Sequence, residues 1–227
     1  MADQQATEDK FHVLLIGVDN YPGHELHGCV NDVDAVQRVL ISPRMRIPAD
    51  RIRHLVSPLP GVQREPVNGE QDASAANIRR ELEALGSETV AAGDRVFVYY
   101  CGHGYRAAVK ADDGATFYRE ALVPADFERT ERKTFLFDFE INRLLQAIAR
   151  RTTSVTVVLD SCYSAGATRI ANDPAESVAR SLDLGDQEPA PVPDPAGVER
   201  ARGEGPTDTR VAAGVDDCHV VAACLAH

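Results

Sequence analysis

The sequence predicts an α/β fold with a mostly parallel central sheet flanked by helices on both faces. Three short apolar runs, rich in β-branched and aromatic residues, have the length and composition of buried strands. Amphipathic helical patterns separate them, and strands that alternate with helices form parallel sheets. The three runs are Phe11–Val18, Arg95–Cys101 and Val155–Asp160.

The remaining elements continue this alternation. Residues 52–56 predict a weaker strand, and residues 218–223 predict a strand near the far end of the chain. Three apolar faces at helical spacing predict helices, the second beginning behind Ser74 as its N-cap and the third following Asp138. Their apolar positions are Cys29, Val33, Val36 and Leu40; Ala75, Ile78, Leu82 and Leu85; and Ile141, Leu144, Leu145 and Ile148.

Composition divides the 227 residues into four segments. Residues 1–10 predict a disordered N-terminus, and residues 11–182 contain the main strands and helices. Residues 183–210 hold five prolines, four glycines and no aromatic residue, which predicts a flexible linker. Residues 211–227 contain only the last predicted strand. We therefore expect the chain to be a fragment, a processed subunit, or a partner for a strand outside it.

Charge and cysteine usage exclude several classes of function. A net charge of -11 repels polyanions and argues against a nucleic-acid partner. No apolar run approaches the roughly 20 residues that span a bilayer, and no secretion signal precedes residue 11, so we expect no membrane partner. The five scattered cysteines are typical of reduced thiols and predict a cytoplasmic protein.

The spacing of histidines and cysteines predicts no metal site. His24, His27 and Cys29 share one loop, but no second pair of ligands matches them. Zinc motifs need such a pair, so a solvated loop is the better interpretation.

Two strand ends carry residues suited to nucleophilic catalysis. His103 follows one strand between Gly102 and Gly104, and Cys162 follows another. The carboxyl ends of parallel strands meet at one edge of a sheet, so the thiol and the imidazole can meet there. Such a pair provides a nucleophile and a base, and we expect the amides of Gly104 and Cys162, lying in turns, to face the oxyanion.

From these residues alone, a structural interpretation stays open. A cysteine at a strand end is usually a small buried hydrophobe. A single histidine is more often hydrogen-bonded for structural reasons. The pairing of both residue types at two strand ends favours catalysis without settling it.

The motifs YYCGHG and LDSCYSAG, with LLIGVDNY and GCVNDVDAV upstream and HVVAAC downstream, resemble the caspase-like cysteine peptidases, and among them the metacaspases and their bacterial relatives. The resemblance implies a caspase-hemoglobinase fold, a dyad of Cys162 and His103, and an endopeptidase that acts through an acyl-enzyme. It also implies that 183–210 separates a large from a small subunit and is cut during activation of a zymogen. A small-subunit chain or a C-terminal continuation is then an expected partner.

The same resemblance implies a specificity pocket formed by Asp32 and Asp160, with Cys29 and Cys101 on its wall. Two carboxylates facing one cleft favour a cation between them, and a guanidinium can satisfy both. We therefore expect protein or peptide substrates cleaved after Arg, then after Lys, with little cleavage after Asp. The structural alternative is that both aspartates cap turns or helices.

Two departures from the family pattern affect cofactors. Cys101 stands where metacaspases commonly carry Ser. Many metacaspases need calcium, for which Asp112, Asp113 and Asp126 have suitable oxygens, but Arg169 replaces a frequent aspartate. The prediction is therefore no cofactor, with calcium as an alternative and a solvated acidic loop as the simplest interpretation.

Two other functional classes are alternatives to the peptidase. A cysteine phosphatase loop has five residues between Cys and Arg, whereas six separate Cys162 from Arg169, and no histidine precedes the cysteine. A catalytically silent caspase-like interaction module remains an alternative, although both dyad residues are present. Bacterial relatives often act in cell death or defence, which suggests that setting here.

Overall fold

A computed structural model describes residues 10–87, 89–110, 116–128, 134–161 and 218–222. The linker predicted at 183–210 and most of the terminal segments lie outside the described residues. The five strands of the main sheet are β1 (Phe11–Val18), β2 (Ile52–Ser57), β3 (Arg95–Cys101), β7 (Ser154–Asp160) and β8 (Cys218–Ala222). They pair in parallel in the order β2-β1-β3-β7-β8, which confirms the predicted fold class.

Three helices connect these strands: α1 (Cys29–Ile41), α2 (Ala75–Leu85) and α3 (Asp138–Ala149). Helix α1 joins β1 to β2, toward one edge of the sheet. Helix α2 joins β2 to β3 and α3 joins β3 to β7, both toward the opposite edge. Right-handed crossovers therefore place α1 on one face and the other two helices, which contact each other, on the opposite face. As predicted, the Ser74 side chain caps α2 by accepting the N–H of Asn77.

Gly17 allows α1 to pack close to the sheet. A Cβ atom at this position would lie 2.8 Å from Val33 Cγ2 and 3.0 Å from the Cys29 carbonyl oxygen. A larger residue would therefore push away the first turns of α1, which carry part of the site described below. No helix in the described part of the chain has the length and apolarity to cross a bilayer.

A second, antiparallel sheet was not predicted from the sequence. It consists of β4 (Gly104–Lys110), β5 (Thr116–Leu122) and β6 (Leu136–Phe137), in that order. The expectation that Gly104 lies in a turn is wrong, because Gly104 is the first residue of β4 and pairs with Leu122. The small sheet thus begins directly after His103.

Candidate active site

The carboxyl ends of β3 and β7 lie side by side at one edge of the main sheet. Cys101, the last residue of β3, is directly opposite Asp160, the last residue of β7. The N–H of Gly102 donates to the Asp160 carbonyl oxygen at 3.5 Å, which continues the pairing past the strand ends. His103 follows Cys101 by two positions. Cys162 follows Asp160 by two positions in the sequence, but it lies outside the described residues.

The His103 ring is buried and held in one orientation. It is 4% exposed, and its centroid lies 4.6 Å from that of the Tyr21 ring. Its Nε2 lies 2.7 Å from the His24 carbonyl oxygen, which can only accept a hydrogen bond. This bond places a proton on Nε2, so in the neutral ring Nδ1 is the basic nitrogen.

Two buried tyrosines fix the backbone of His103. The hydroxyl of Tyr21 accepts the His103 N–H at 3.0 Å, and the hydroxyl of Tyr100 donates to the His103 carbonyl oxygen at 2.7 Å. Both hydroxyls also lie within hydrogen-bond distance of the Val123 carbonyl oxygen, at 2.8 and 2.9 Å. The loop that carries the imidazole is therefore anchored to β5's end and to the segment after β1.

Gly102 is required by this arrangement. A Cβ atom there would lie 2.6 Å from the Tyr21 hydroxyl and 2.7 Å from the Tyr100 hydroxyl. The glycine before His103 thus makes room for the two tyrosine hydroxyls that position the histidine backbone.

The amide of Gly104 points away from β5. The His103 carbonyl oxygen accepts the N–H of Val123 at 3.1 Å, so these two residues form a hydrogen-bonded antiparallel pair. Bonded and non-bonded pairs alternate along such a ladder, so the next pair, Gly104 and Leu122, is non-bonded. The Gly104 N–H is consequently directed to the outer edge of β4, next to His103.

Asp32, Cys101 and Asp160 come together although they are far apart in the chain. The Cys101 Sγ lies 3.8 Å from Asp32 Oδ2 and 3.7 Å from Asp160 Oδ2. Both carboxylates are half-buried, and Cys101 is fully buried. The hydroxyl of Tyr99 donates to Asp160 Oδ2 at 3.4 Å.

The pKa of the Tyr99 hydroxyl is affected by the negative charge of this group. Burial raises the pKa of Tyr99 well above its ordinary value, and the carboxylates of Asp160 and Asp32 help to raise it further. The two carboxylates therefore create a negative potential at the carboxyl edge of the sheet, which favours a cationic ligand.

The first turn of α1 is capped by a residue that the sequence analysis missed. The Asp19 carboxylate accepts the N–H of Cys29 at 2.8 Å and that of Val30 at 3.3 Å. Burial raises the Asp19 pKa, and these backbone bonds act in the opposite direction. Asp32 lies in the same first turn, but the hydrogen bonds to the helix terminus are made by Asp19.

Cys29 occupies a different position from the other predicted pocket residues. It is the first residue of α1 and is 1% exposed. Within the described part of the chain, the close group of potential ligand atoms comprises Asp32, Cys101 and Asp160, without the Cys29 thiol.

The residues considered for calcium are only partly described. Asp126 Oδ1 accepts the N–H of Ala75, the first residue of α2, at 2.7 Å, so this carboxylate supports a helix terminus. Asp112, Asp113 and Arg169 lie outside the described residues. Calcium dependence stays a prediction.

Comparison with known proteins identifies the family. Residues 12–171 match the family model described as metacaspase, peptidase C14 domain. The chain is 32% identical to Metacaspase-9 of Arabidopsis thaliana over 72% of its own length and 46% of that protein, and 32% identical to Metacaspase-6 of the same plant over 76% and 43%. It is 33% identical to Metacaspase-3 of Trypanosoma cruzi over 68% and 40%. The chain thus spans less than half the length of these relatives, and it belongs to the metacaspase family.

Proposed function

We propose that the chain carries the catalytic centre of a cysteine endopeptidase of the metacaspase type, with Cys162 as nucleophile and His103 as base. The observation that carries this proposal is the register of β3 and β7. Since Cys101 lies opposite Asp160, His103 and Cys162 each come two residues after a paired position at the same sheet edge. Family membership supports the same assignment.

The proposed reaction needs a group that accepts the thiol proton and a hydrogen-bond donor that stabilises the oxyanion. His103 accepts the thiol proton of Cys162 while the sulfur attacks the scissile carbonyl carbon and forms a C–S bond. The Gly104 N–H stabilises the oxyanion. The C–N bond then breaks and the imidazolium protonates the leaving amine. Water, deprotonated by His103, cleaves the thioester, and the proton returns to sulfur.

We also propose that the substrate carries Arg, or less favourably Lys, before the cleaved bond. The support is the negative potential of the Asp32 and Asp160 carboxylates, which lie on either side of the Cys101 thiol. A guanidinium can hydrogen-bond to both carboxylates, whereas an ammonium has a different donor geometry. An Asp side chain would be repelled. Cys29 is assigned to the pocket only through the family resemblance.

Further parts of the proposal concern processing and setting. Arg180, Arg200, Arg202 and Arg210 lie in or beside the linker and are suitable sites for self-cleavage of a zymogen. The separated small-subunit part would then be the partner of the catalytic part. Mass spectrometry of the incubated chain tests self-processing, and a chain that stays uncut while fully active contradicts it.

We propose a cytoplasmic enzyme in a bacterial cell-death or defence programme.

Fluorogenic peptides test the activity directly. Matched peptides ending in Arg, Lys or Asp are incubated with the full chain and with its Cys162→Ala variant. We expect hydrolysis in the order Arg, Lys, Asp and its loss in the variant. Hydrolysis that survives Cys162→Ala removes Cys162 from the mechanism. A folded chain that cleaves none of the peptides favours the silent interaction module.

A further inference from the structure

Three potential metal ligands meet at the carboxyl edge of the sheet. Asp32, Cys101 and Asp160 each offer one ligand atom, and these atoms lie within 4.8 Å of one another. Cys101 is 69 positions from Asp32 and 59 positions from Asp160, so no local spacing motif could reveal the group. The thiol of Cys101 distinguishes it from a simple pair of carboxylates, because sulfur is a ligand that hard cations such as calcium do not select.

We propose that Asp32, Cys101 and Asp160 form a zinc-binding site whose occupation blocks the specificity pocket. The binding of zinc stands on the geometry alone, whereas its effect on cleavage rests on the proposed function. The site would join three protein ligands from α1, β3 and β7, with water in the fourth position, the arrangement that accessible zinc sites have.

The two sulfur–oxygen distances suit a tetrahedral ion. With Zn–S of about 2.3 Å and Zn–O of about 2.0 Å, a tetrahedral angle separates sulfur and oxygen by about 3.5 Å. The Cys101 Sγ is 3.8 Å from one carboxylate oxygen and 3.7 Å from the other. The two carboxylate oxygens lie within 4.8 Å of each other, and tetrahedral coordination needs about 3.3 Å, so the two aspartates would have to draw together around the ion.

Charge and surroundings also favour a divalent cation. Binding releases the Cys101 thiol proton to solvent and forms a Zn–S bond, so one thiolate and two carboxylates would surround the ion. The Tyr99 hydroxyl, 3.4 Å from Asp160 Oδ2, donates to a ligand carboxylate and orients it. Because the same carboxylates would receive the substrate guanidinium, zinc and an Arg side chain would exclude each other.

Cobalt(II) provides a direct probe, since a cobalt–thiolate bond produces an intense near-ultraviolet absorption band. The full chain with Cys162→Ala is titrated with cobalt(II) chloride, which removes the predicted nucleophile as a competing ligand. We expect the band to appear with one equivalent and to disappear when zinc chloride displaces cobalt. Added to the same background, Cys101→Ser should abolish the band, and Asp160→Asn should weaken affinity by about tenfold or more.

A matched control uses the other described buried thiol. Cys29→Ser in the same background should keep the band, since Cys29 lies outside the three-residue group. Circular dichroism establishes that each variant is folded. The proposal is overturned if the Cys162→Ala chain gives no band, if Cys101→Ser keeps it, or if only Cys29→Ser removes it.

Kinetics then separate the two proposals. With the unaltered chain, zinc should raise the apparent KM for an Arg peptide without changing kcat, and Cys101→Ser should weaken this inhibition by about tenfold or more. Zinc that lowers kcat and leaves KM unchanged would indicate binding at the dyad and contradict competition in the pocket. A cobalt band in a chain that cleaves no Arg peptide would retain the metal site and reject the proposed function.

Discussion

Cys101 lies directly opposite Asp160 in the parallel register of β3 and β7, and its Sγ is 3.7 Å from Asp160 Oδ2. This one pair links both parts of the candidate site. Beyond it, each strand continues to one member of the predicted dyad. Beside it, Asp32 from α1 completes the negative group. The same sheet edge therefore supplies the residues proposed for chemistry and those proposed for specificity.

Replacing Gly102 by alanine should disturb the loop that carries His103. The new Cβ would lie 2.6 Å from the Tyr21 hydroxyl, so the tyrosines or the loop must move. We expect a loss of about 1–3 kcal/mol in the free energy of unfolding, measured in urea, together with a lower kcat.

Gly69→Ala is the matched control for Gly102→Ala. Gly69 has a φ of 80°, and a Cβ atom added there would have no heavy atom within 4 Å. Alanine at this position therefore causes backbone strain of about 1–2 kcal/mol but no clash. Its kcat should stay unchanged. Full activity in Gly102→Ala would contradict the role assigned to the two tyrosine hydroxyls.

Asp160→Asn should reduce cleavage after Arg by weakening substrate binding. Asparagine keeps the size of the side chain but removes one of the two carboxylate charges near Cys101. A lost charged hydrogen bond costs about 1.5–3 kcal/mol, which corresponds to a fall of roughly tenfold to a hundredfold in kcat/KM for an Arg peptide. Most of the change should appear in KM.

Asp34→Asn provides the comparison on α1. Asp34 lies two residues beyond Asp32 but pairs with Arg64, at 2.8 Å, away from the pocket group. This variant should lower stability while it preserves the ratio of Arg to Lys cleavage. An Asp160→Asn enzyme with unchanged kcat/KM for Arg peptides would refute the specificity assignment.

Asp94 should make stability depend on acid pH. Its carboxylate accepts hydrogen bonds from the backbone N–H groups of Lys10 and Ala91 and contacts His12 Nε2 at 2.9 Å. Burial alone raises the Asp94 pKa, but these bonds outweigh it and lower the pKa from 3.8 to about 2. The stabilisation is therefore fully present above pH 4 and is lost as the pH falls through 2.

Urea unfolding of Asp94→Asn measures this effect. The variant should be less stable than the unaltered chain by about 2 kcal/mol at pH 6. The difference should shrink between pH 4 and pH 2, because protonation removes the same interaction from the unaltered chain. A difference that stays constant over this interval would contradict the assignment.

The central strands β1 and β3 could be predicted from the sequence because most of their residues are buried, on both faces of the sheet. Phe11–Val18 and Arg95–Cys101 are nearly continuous apolar runs, and the structure gives them the predicted bounds. The predicted helices are also confirmed, since each has a single apolar face. These features depend on local periodicity, which a single sequence records.

The small sheet was missed because its signal is weak. In β4, Tyr105 and Ala107 are buried while Arg106 is exposed, but the run begins with a glycine that also suits a turn. The two-residue strand β6 has no period at all. Its existence depends on pairing with β5, which only the folded chain provides.

The residues proposed for catalysis and specificity could be predicted from the sequence, but the residues that hold them in place could not. The motifs around His103 and Cys162 pointed to the sheet edge, and Asp32 and Asp160 to a pocket. The motif LLIGVDNY contains Asp19 and Tyr21 but does not indicate their roles, because their hydrogen bonds reach Cys29 and His103, 10 and 82 positions away. Such contacts depend on tertiary structure.

Affinity labelling of Cys162 tests the central claim most directly. An arginine chloromethyl ketone should alkylate Cys162 in the full chain, with the site located by peptide mass spectrometry. His103→Ala should slow this labelling by about a hundredfold or more. The control His27→Ala changes an exposed histidine in the loop between β1 and α1 and should not slow it. Labelling of Cys162 at the same rate with and without the His103 imidazole would contradict the proposed dyad.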